Sequence, residues 1–190
     1  RTVSPDVDEN YIPHAVPTDI FNILDKNVVS NFRKQQLKID DDNFFIFWTN
    51  RNARRKQSGS LMFWFKNFLD ELEKKHGHRN ATLLMHTEPN DPNGQDLYAI
   101  ANKLDLASNK NIFFSKEKVS PADLSMLYNA ADACITVSDA EGFGLYTFES
   151  MACGTPIIAT LTGGLQEQVT DIEEVSHENI LNRHEENKGS

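Results

Sequence analysis

Residues 44–77 read FFIFWTNRNARRKQSGSLMFWFKNFLDELEKKHG and contain one complete strand-and-helix unit. The first six residues, Phe44 to Thr49, are uncharged and follow an acidic turn, which predicts a buried strand. Lysines, a histidine and Gly77 close the stretch, as expected at the C-terminal end of a helix. Between them, apolar side chains recur at the spacing of an amphipathic helix. They are Leu61, Phe65, Phe68, Leu69 and Leu72.

The alternation of strand and helix continues along the chain and repeats five times. Such alternation is typical of a parallel, doubly wound sheet, so we predict an α/β, Rossmann-like fold. Ligands of such sheets bind at the carboxyl ends of the strands, where Arg51 and Glu141 fall. The later predicted strands are 82–86, 111–115, 134–137 and 156–160, and the predicted helices are 95–104, 121–131, 147–153 and one starting at 165–169.

The two ends of the chain lack this pattern. Residues 1–18 hold three of the seven prolines and no helical period, which predicts an extended lead-in. Residues 20–37 are weakly helical at most, and residues 171–190 predict a polar tail without regular structure. One domain over residues 19–170 is therefore expected.

Composition excludes several classes of function. The net charge of −9 argues against broad binding of nucleic acid or anionic membranes. No apolar stretch reaches the length of a membrane span, and residues 1–10 lack the apolar core of a secretory leader, so we expect none there. The only cysteines, Cys134 and Cys153, cannot build a disulfide framework, so we expect the reducing cytoplasm as the location.

A cationic cluster stands out against this acidic background. Arg51, Arg54, Arg55 and Lys56 lie within six residues, directly after the first predicted strand. A local concentration of positive charge on an acidic protein indicates a bound anion, for which phosphate is the natural candidate. From these residues alone, a solvated basic loop is the competing interpretation.

Residues 141–149 read EGFGLYTFE and lie between a predicted strand and a predicted helix. Gly142 and Gly144 leave backbone N–H groups available, and the start of the helix adds partial positive charge. The carboxylates at either end, Glu141 and Glu149, suit vicinal hydroxyls better than a phosphate. The stretch therefore predicts a site for a sugar, a diphosphate and a ribose. The competing interpretations are a helix cap and a fragment of a dinucleotide fingerprint, although the third glycine is absent.

Three further features of the sequence are less specific. His86 and Thr87 lie at a strand end, where they either face a ligand or form a satisfied polar turn. His76 and His78 flank the glycine that ends a helix, so we do not predict a metal site there. The aromatic run from Phe63 through Trp64 to Phe65 is predicted to pack in the core rather than to stack on a base.

Taken together, these motifs resemble those of retaining GT-B glycosyltransferases of family four. Glu141 and Glu149 have the spacing of the E-x7-E motif, and residues 149–159 (ESMACGTPIIA) resemble E-A-M-A-C-G-x-P-V-V-A. The R-x4-K spacing of Arg51 and Lys56 is similar too, with Asn50 where the family usually has glycine. Three further segments match: residues 127–133 resemble LY-x-x-AD, residues 163–167 resemble GG-x-x-E, and residues 13–18 (PHAVPT) resemble PHGVDT.

The resemblance implies the C-terminal, donor-binding half of a GT-B fold. It implies transfer of a sugar from a nucleoside diphosphate sugar with retention of configuration, without a metal or other cofactor. Arg51 and Lys56 would hold the donor diphosphate, and Glu141 would contact the donor sugar; these three are the predicted catalytic residues. The predicted donor contacts are Gly142, Phe143, Gly144, Leu145, Glu149 (ribose) and the backbone near Val119 (base).

The resemblance also implies a partner. Family members bind the acceptor on a separate N-terminal domain, and the PHGVDT-like segment, which normally follows that domain, starts here at Pro13. We therefore expect this chain alone to bind a nucleotide sugar but to transfer no sugar. Peripheral membrane association of the full-length enzyme stays open, as does a homodimer formed through the apolar face that the missing domain would leave.

Other functions compete with this interpretation. One is an isolated donor-binding subunit or a sugar-nucleotide sensor without activity of its own. Another is a nucleotide-sugar epimerase or a phosphorylase of similar fold. A nicotinamide-dependent dehydrogenase is disfavoured because the dinucleotide fingerprint is absent.

Overall fold

The structure is a computed structural model and describes residues 14–106 and 111–168. The strands are β1 (Phe44–Thr49), β2 (Ala81–His86), β3 (Ile112–Ser115), β4 (Ala133–Thr136) and β5 (Ile157–Ala159). The helices are α1 (Lys26–Phe32), α2 (Ser58–His76), α3 (Leu97–Lys103), α4 (Pro121–Ala130) and α5 (Leu145–Ala152). The strands form one parallel sheet in the order β3-β2-β1-β4-β5. The predicted doubly wound α/β fold is confirmed.

Alternate residues of the central strand face two separate cores, as successive side chains of a strand must. Ile46 and Trp48 pack with the buried faces of α2 and α3. Phe45 and Phe47 pack on the other side with Tyr128 and its neighbours on α4. Helices therefore cover both faces of the sheet, which leaves the ends of the strands as the open edges.

The ends of two helices differ from the prediction for local reasons. Helix α3 begins at Leu97 because the side chain of Asp96 accepts a hydrogen bond from the N–H of Ala99 and caps it. Helix α5 begins at Leu145, two residues earlier than predicted, directly after Gly144. Gly144 therefore occupies the cap position of that helix, with φ of 83° in the left-handed region.

The segment before β1 is more helical than predicted. Helix α1 continues into a π-helical turn over Arg33–Leu37. Tertiary contacts explain this, because Arg33 is buried and its Nη1 donates to the backbone oxygen of Ala130 at 2.7 Å and to Asp132 at 3.1 Å. After β5, residues Gly163–Glu167 form a 3₁₀ turn. The rest of the predicted last helix, the tail and most of the lead-in lie outside the described residues.

The prediction that three consecutive aromatics pack in the core is wrong for two of them. Phe65 is buried, but Phe63 and Trp64 are each 51% exposed. Successive residues of a helix point roughly 100° apart, so three in a row cannot all face one core. The buried face of α2 is the stripe that contains Leu61, Phe65 and Leu69.

The order of the strands creates a crevice. β1 is hydrogen-bonded to β2 on one side and to β4 on the other, so the direction of winding reverses between β1 and β4. At such a switch point, the loops after the two strands separate and leave room for a ligand. Here those loops are residues 50–57 after β1 and residues 137–144 after β4.

Candidate functional site

The loop after β1 and the loop after β4 are joined by hydrogen bonds. The N–H of Asp139 donates to the backbone oxygen of Arg55 at 2.8 Å. The amide of Gln57 donates to the carboxylate of Asp139 at 2.6 Å, and the guanidinium of Arg55 donates to the backbone oxygen of Ala140 at 2.8 Å. The cationic loop and the glycine turn therefore form one continuous surface at the carboxyl edge of the sheet.

Lys56 and Glu141 form an ion pair between these loops. Their side chains are only 6% and 11% exposed, and the Lys56 ammonium bonds directly to Oε2 of Glu141. The hydroxyl of Tyr146 donates to the same oxygen at 3.2 Å, and the Lys56 Nζ lies 5.4 Å from the Tyr146 ring centroid. Burial raises the pKa of Tyr146 to about 12, so this hydroxyl keeps its proton and remains a donor.

Arg51 extends toward the other side of β1. Its side chain is 66% exposed, and its Nε and Nη2 donate to Asp91 at 2.7 and 3.3 Å. Within residues 14–106 and 111–168, all hydrogen bonds of this guanidinium go to Asp91. The hydrogen bond from Arg51 holds the pKa of Asp91 at about 2, so the pair stays charged at neutral pH. The structure thus brings Lys56 to Glu141 but leaves Arg51 at the loop after β2.

Asn52 fixes the loop that carries Asp91. Its side chain is fully buried, and its Nδ2 donates to the backbone oxygens of Pro89 and Gln95 at 3.0 and 2.7 Å. The hydroxyl of Ser58 donates to Asn52 Oδ1 at 2.8 Å. A Cβ on Gly94 would lie 2.1 Å from the Asn52 backbone oxygen, so this close approach requires glycine. The two loops around Arg51 are therefore held together rigidly.

The glycine turn is supported from behind by a second pair of glycines. The N–H of Gly164 donates to the backbone oxygen of Glu141 at 3.2 Å. A Cβ on Gly163 would lie 1.8 Å from that same oxygen, and one on Gly164 would lie 2.3 Å from the oxygen of Gly142. In front of this support lies the start of α5, which no described side chain caps. Its first N–H groups can therefore receive an anion.

The aromatic residue of the turn is packed on two sides. The ring centroid of Phe143 lies 4.7 Å from that of His14 and 5.1 Å from that of Phe148. The side-chain amide of Gln168 donates to the backbone oxygen of Phe143. Leu145, the first residue of α5, is exposed at the same edge. These contacts fix the backbone of the turn while one apolar side chain stays open to solvent.

The second glutamate of the pair also has a tyrosine partner. Oε2 of Glu149 accepts a hydrogen bond from the hydroxyl of Tyr128 at 2.6 Å. Burial and the charge of Glu149 raise the pKa of Tyr128 above its ordinary value. Val119, the predicted base contact, lies just before Ser120, whose hydroxyl caps α4 by accepting from the N–H of Asp123 at 3.1 Å.

Polar groups continue along the same edge toward β3. His86 Nδ1 lies 3.0 Å from the Ser115 hydroxyl, and burial lowers the pKa of His86, so the ring is neutral at neutral pH. Asn50 Nδ2 and Thr87 Oγ1 are buried and have no hydrogen-bond partner among the residues that the structure describes. In the described part of the chain, no group of three or more His, Cys, Asp or Glu side chains is arranged to hold a metal ion.

Four residues of this edge had no role assigned from the sequence: Arg55, Asp91, Tyr128 and Tyr146. Arg55 belongs to the cationic cluster but matches neither position of the R-x4-K spacing, and it bridges the two loops. Tyr146 lies inside the E-x7-E interval, and its position on the first turn of α5 was the one available signal. Asp91 and Tyr128 reach their partners across 40 and 21 residues, a separation that spacing alone does not reveal.

The parallel sheet and the polar loops at its carboxyl edge define a Rossmann-like α/β domain. Comparison with known sequences gives its family. A profile of the family described as Glycosyl transferases group 1 matches residues 29–180. The chain belongs to this family and is a glycosyltransferase domain. The D-inositol 3-phosphate glycosyltransferase of Segniliparus rotundus is 38% identical over 77 residues, which is 40% of this chain and 16% of that enzyme. The chain therefore covers a small part of that relative's length.

Solved structures share the fold. The C-terminal domain of a glycosyl transferase group 1 family protein (LpcC) from Francisella tularensis has a TM-score of 0.62 at 22% identity, over 93% of this chain and 89% of that one. The Anabaena protein Alr3699/HepE, solved in complex with UDP-glucose, has a TM-score of 0.63 at 20% identity, over 92% of this chain and 47% of that one. Among the described residues, no helix has the length and apolar character needed to cross a membrane.

Proposed function

We propose that this domain binds the donor of a retaining glycosyltransferase. The donor is a nucleoside diphosphate sugar, and the acceptor binds to a separate N-terminal domain. The reaction needs no metal ion or other cofactor. The two core thiols, Cys134 and Cys153, are both unpaired, which fits our placement of the enzyme in the cytoplasm.

The observation that carries this proposal is the buried Lys56–Glu141 pair. An ammonium is rarely buried at a loop unless it is paired, and here its partner belongs to the predicted sugar-binding turn. Lys56 has three N–H donors, so its bond to Glu141 leaves donors for a phosphate. The pair thus joins the last residue of the R-x4-K motif, Lys56, to the first residue of the E-x7-E motif, Glu141.

The chemistry follows from where charge develops. Breaking the bond between the anomeric carbon and the β-phosphate oxygen leaves negative charge on the diphosphate. Lys56 and the N–H groups of Gly144 and Leu145 stabilise that charge from fixed positions, and Arg51 joins them when its guanidinium turns from Asp91 or shares its donors with it. Donors held in place before the reaction stabilise developing charge more than donors that must reorganise.

The other predicted site residues contact the sugar, the ribose and the base of the donor. Glu141 and the backbone of Gly142 and Phe143 contact the sugar, Glu149 accepts from the ribose hydroxyls, and the backbone near Val119 contacts the base. Two similar proteins support this class of donor. HepE was solved with UDP-glucose, and the Segniliparus relative is a glycosyltransferase by name.

Arg51→Ala tests whether the Arg51 guanidinium binds the donor diphosphate. We expect it to weaken binding of UDP, GDP or ADP, whichever binds best, and to slow turnover of the complete enzyme by roughly two to three orders of magnitude. The physical reason is the loss of a guanidinium that can bond a phosphate at two points. Isothermal calorimetry of the 190-residue chain measures the binding.

Arg54→Ala is the matched control, because it removes the same charge from the same loop at an exposed residue. We expect it to bind nucleotide nearly as the unmodified chain does. If both variants bind nucleotide equally weakly, the loss reflects only the lower positive charge of the loop. If Arg51→Ala binds nucleotide as well as the unmodified chain does, Arg51 does not contact the diphosphate.

A further inference from the structure

Tyr128 is a buried tyrosine whose ring is packed on several sides. Its side chain is 1% exposed in the core between the sheet and α4. Its ring meets the rings of Phe47 and Phe21 edge-on, with centroids 5.3 and 6.1 Å away. The hydroxyl at the end of this ring therefore has one fixed position.

That hydroxyl bonds to the carboxylate that we assign to the ribose. It donates to Oε2 of Glu149 at 2.6 Å, the short distance of a bond to a charged acceptor. Burial and the charge of Glu149 raise the pKa of Tyr128, so the hydroxyl keeps the proton that it donates to Glu149. Within residues 14–106 and 111–168, the other carboxylate oxygen of Glu149, Oε1, has no hydrogen bond.

We infer that Tyr128 is a positioning residue for ribose recognition, which rests on the proposed function. The hydroxyl of Tyr128 holds one oxygen of Glu149, and the other oxygen is thereby presented to the vicinal hydroxyls of the nucleotide. A partly exposed glutamate would otherwise sample several rotamers and would lose that freedom on binding. Tyr128 removes this cost in advance because it orders Glu149 when the domain folds.

Tyr128→Phe tests this role because it removes only the hydroxyl and keeps the packed ring. The probes are UDP, GDP and ADP, each compared with its 2′-deoxy form by calorimetry. We expect the unmodified chain to prefer the ribose form by about tenfold, as for a hydrogen bond to a charged group. In Tyr128→Phe this preference falls severalfold, while the affinity for the 2′-deoxy form stays nearly constant.

Two further variants separate positioning from stability. Tyr98→Phe makes the same change at an exposed tyrosine on α3 and is expected to leave the preference intact. Glu149→Gln is expected to abolish the preference, and Tyr128→Phe should then have no further effect, since it acts only through Glu149. Thermal unfolding of each variant verifies that the domain is folded.

Each outcome decides one point. An unchanged ribose preference in folded Tyr128→Phe overturns the positioning role and leaves the proposed function intact. Equal loss of affinity for the ribose and 2′-deoxy forms also overturns it, because that pattern reflects packing alone. If the unmodified chain binds none of the three nucleotides, the proposed function fails, and this inference fails with it.

Discussion

Lys56→Met is expected to destabilise the domain by about 3–5 kcal/mol and to abolish measurable nucleotide binding. The substitution keeps the apolar stem of the side chain but leaves the carboxylate of Glu141 buried without its main cation. Among the described residues, the nearest other cation is Arg55, which lies 4.0 Å from Glu141 Oε2 and is half exposed, so it compensates only in part. Urea unfolding measures the stability, and calorimetry measures the binding.

The double variant Lys56→Met/Glu141→Gln separates the two effects. Removing both charges leaves no unpaired buried ion, so we expect most of the lost stability to return. Nucleotide binding is expected to remain lost, because the diphosphate still lacks its ammonium. This role of the pair would be contradicted if the free energy of unfolding of Lys56→Met lay within about 1 kcal/mol of that of the unmodified chain and the variant bound nucleotide normally.

Gly163→Ala is expected to cost about 2–5 kcal/mol of stability, because two penalties add there. The new Cβ would lie 1.8 Å from the backbone oxygen of Glu141, and overpacking of this kind costs roughly 1–3 kcal/mol. The φ of 53° adds about 1–2 kcal/mol for a residue with a side chain. Relief of the clash would displace the sugar-binding turn, so nucleotide affinity should fall with stability.

Gly142→Ala provides the comparison within the same turn. A Cβ at this position meets no atom within 4 Å, and its φ does not lie in the left-handed region. We therefore expect its unfolding free energy to lie close to that of the unmodified chain. Equal free energies of unfolding for the two glycine variants would show that residues 163–164 do not support the turn.

The parts of the fold that could be predicted are those with short-range causes. β1 is buried on both faces, so its six residues are all uncharged, and this run predicts a buried strand. Helix α2 carries its buried stripe in the period of the helix. The turn over residues 142–144 could likewise be predicted from its two glycines, and Gly144 has a positive φ at the start of α5.

The parts that could not be predicted depend on partners distant in the chain. The helical segment before β1 has weak local propensity and is stabilised by the contacts of Arg33 with residues near the start of β4. The direction of the Arg51 side chain is set by Asp91 in another loop. Patterns of spacing show which residues share an edge of the sheet, but they do not show which side chains bond there.

A crystal structure of the chain with UDP, GDP or ADP, whichever binds best in calorimetry, is the most direct measurement. We expect the diphosphate at the crevice between β1 and β4, within hydrogen-bonding distance of Lys56, the Arg51 guanidinium and the N–H groups of Gly144 and Leu145. Arg51 would have to leave Asp91, or share its donors, to reach it. A nucleotide bound elsewhere on the domain, away from both the cationic loop and the glycine turn, would contradict the account.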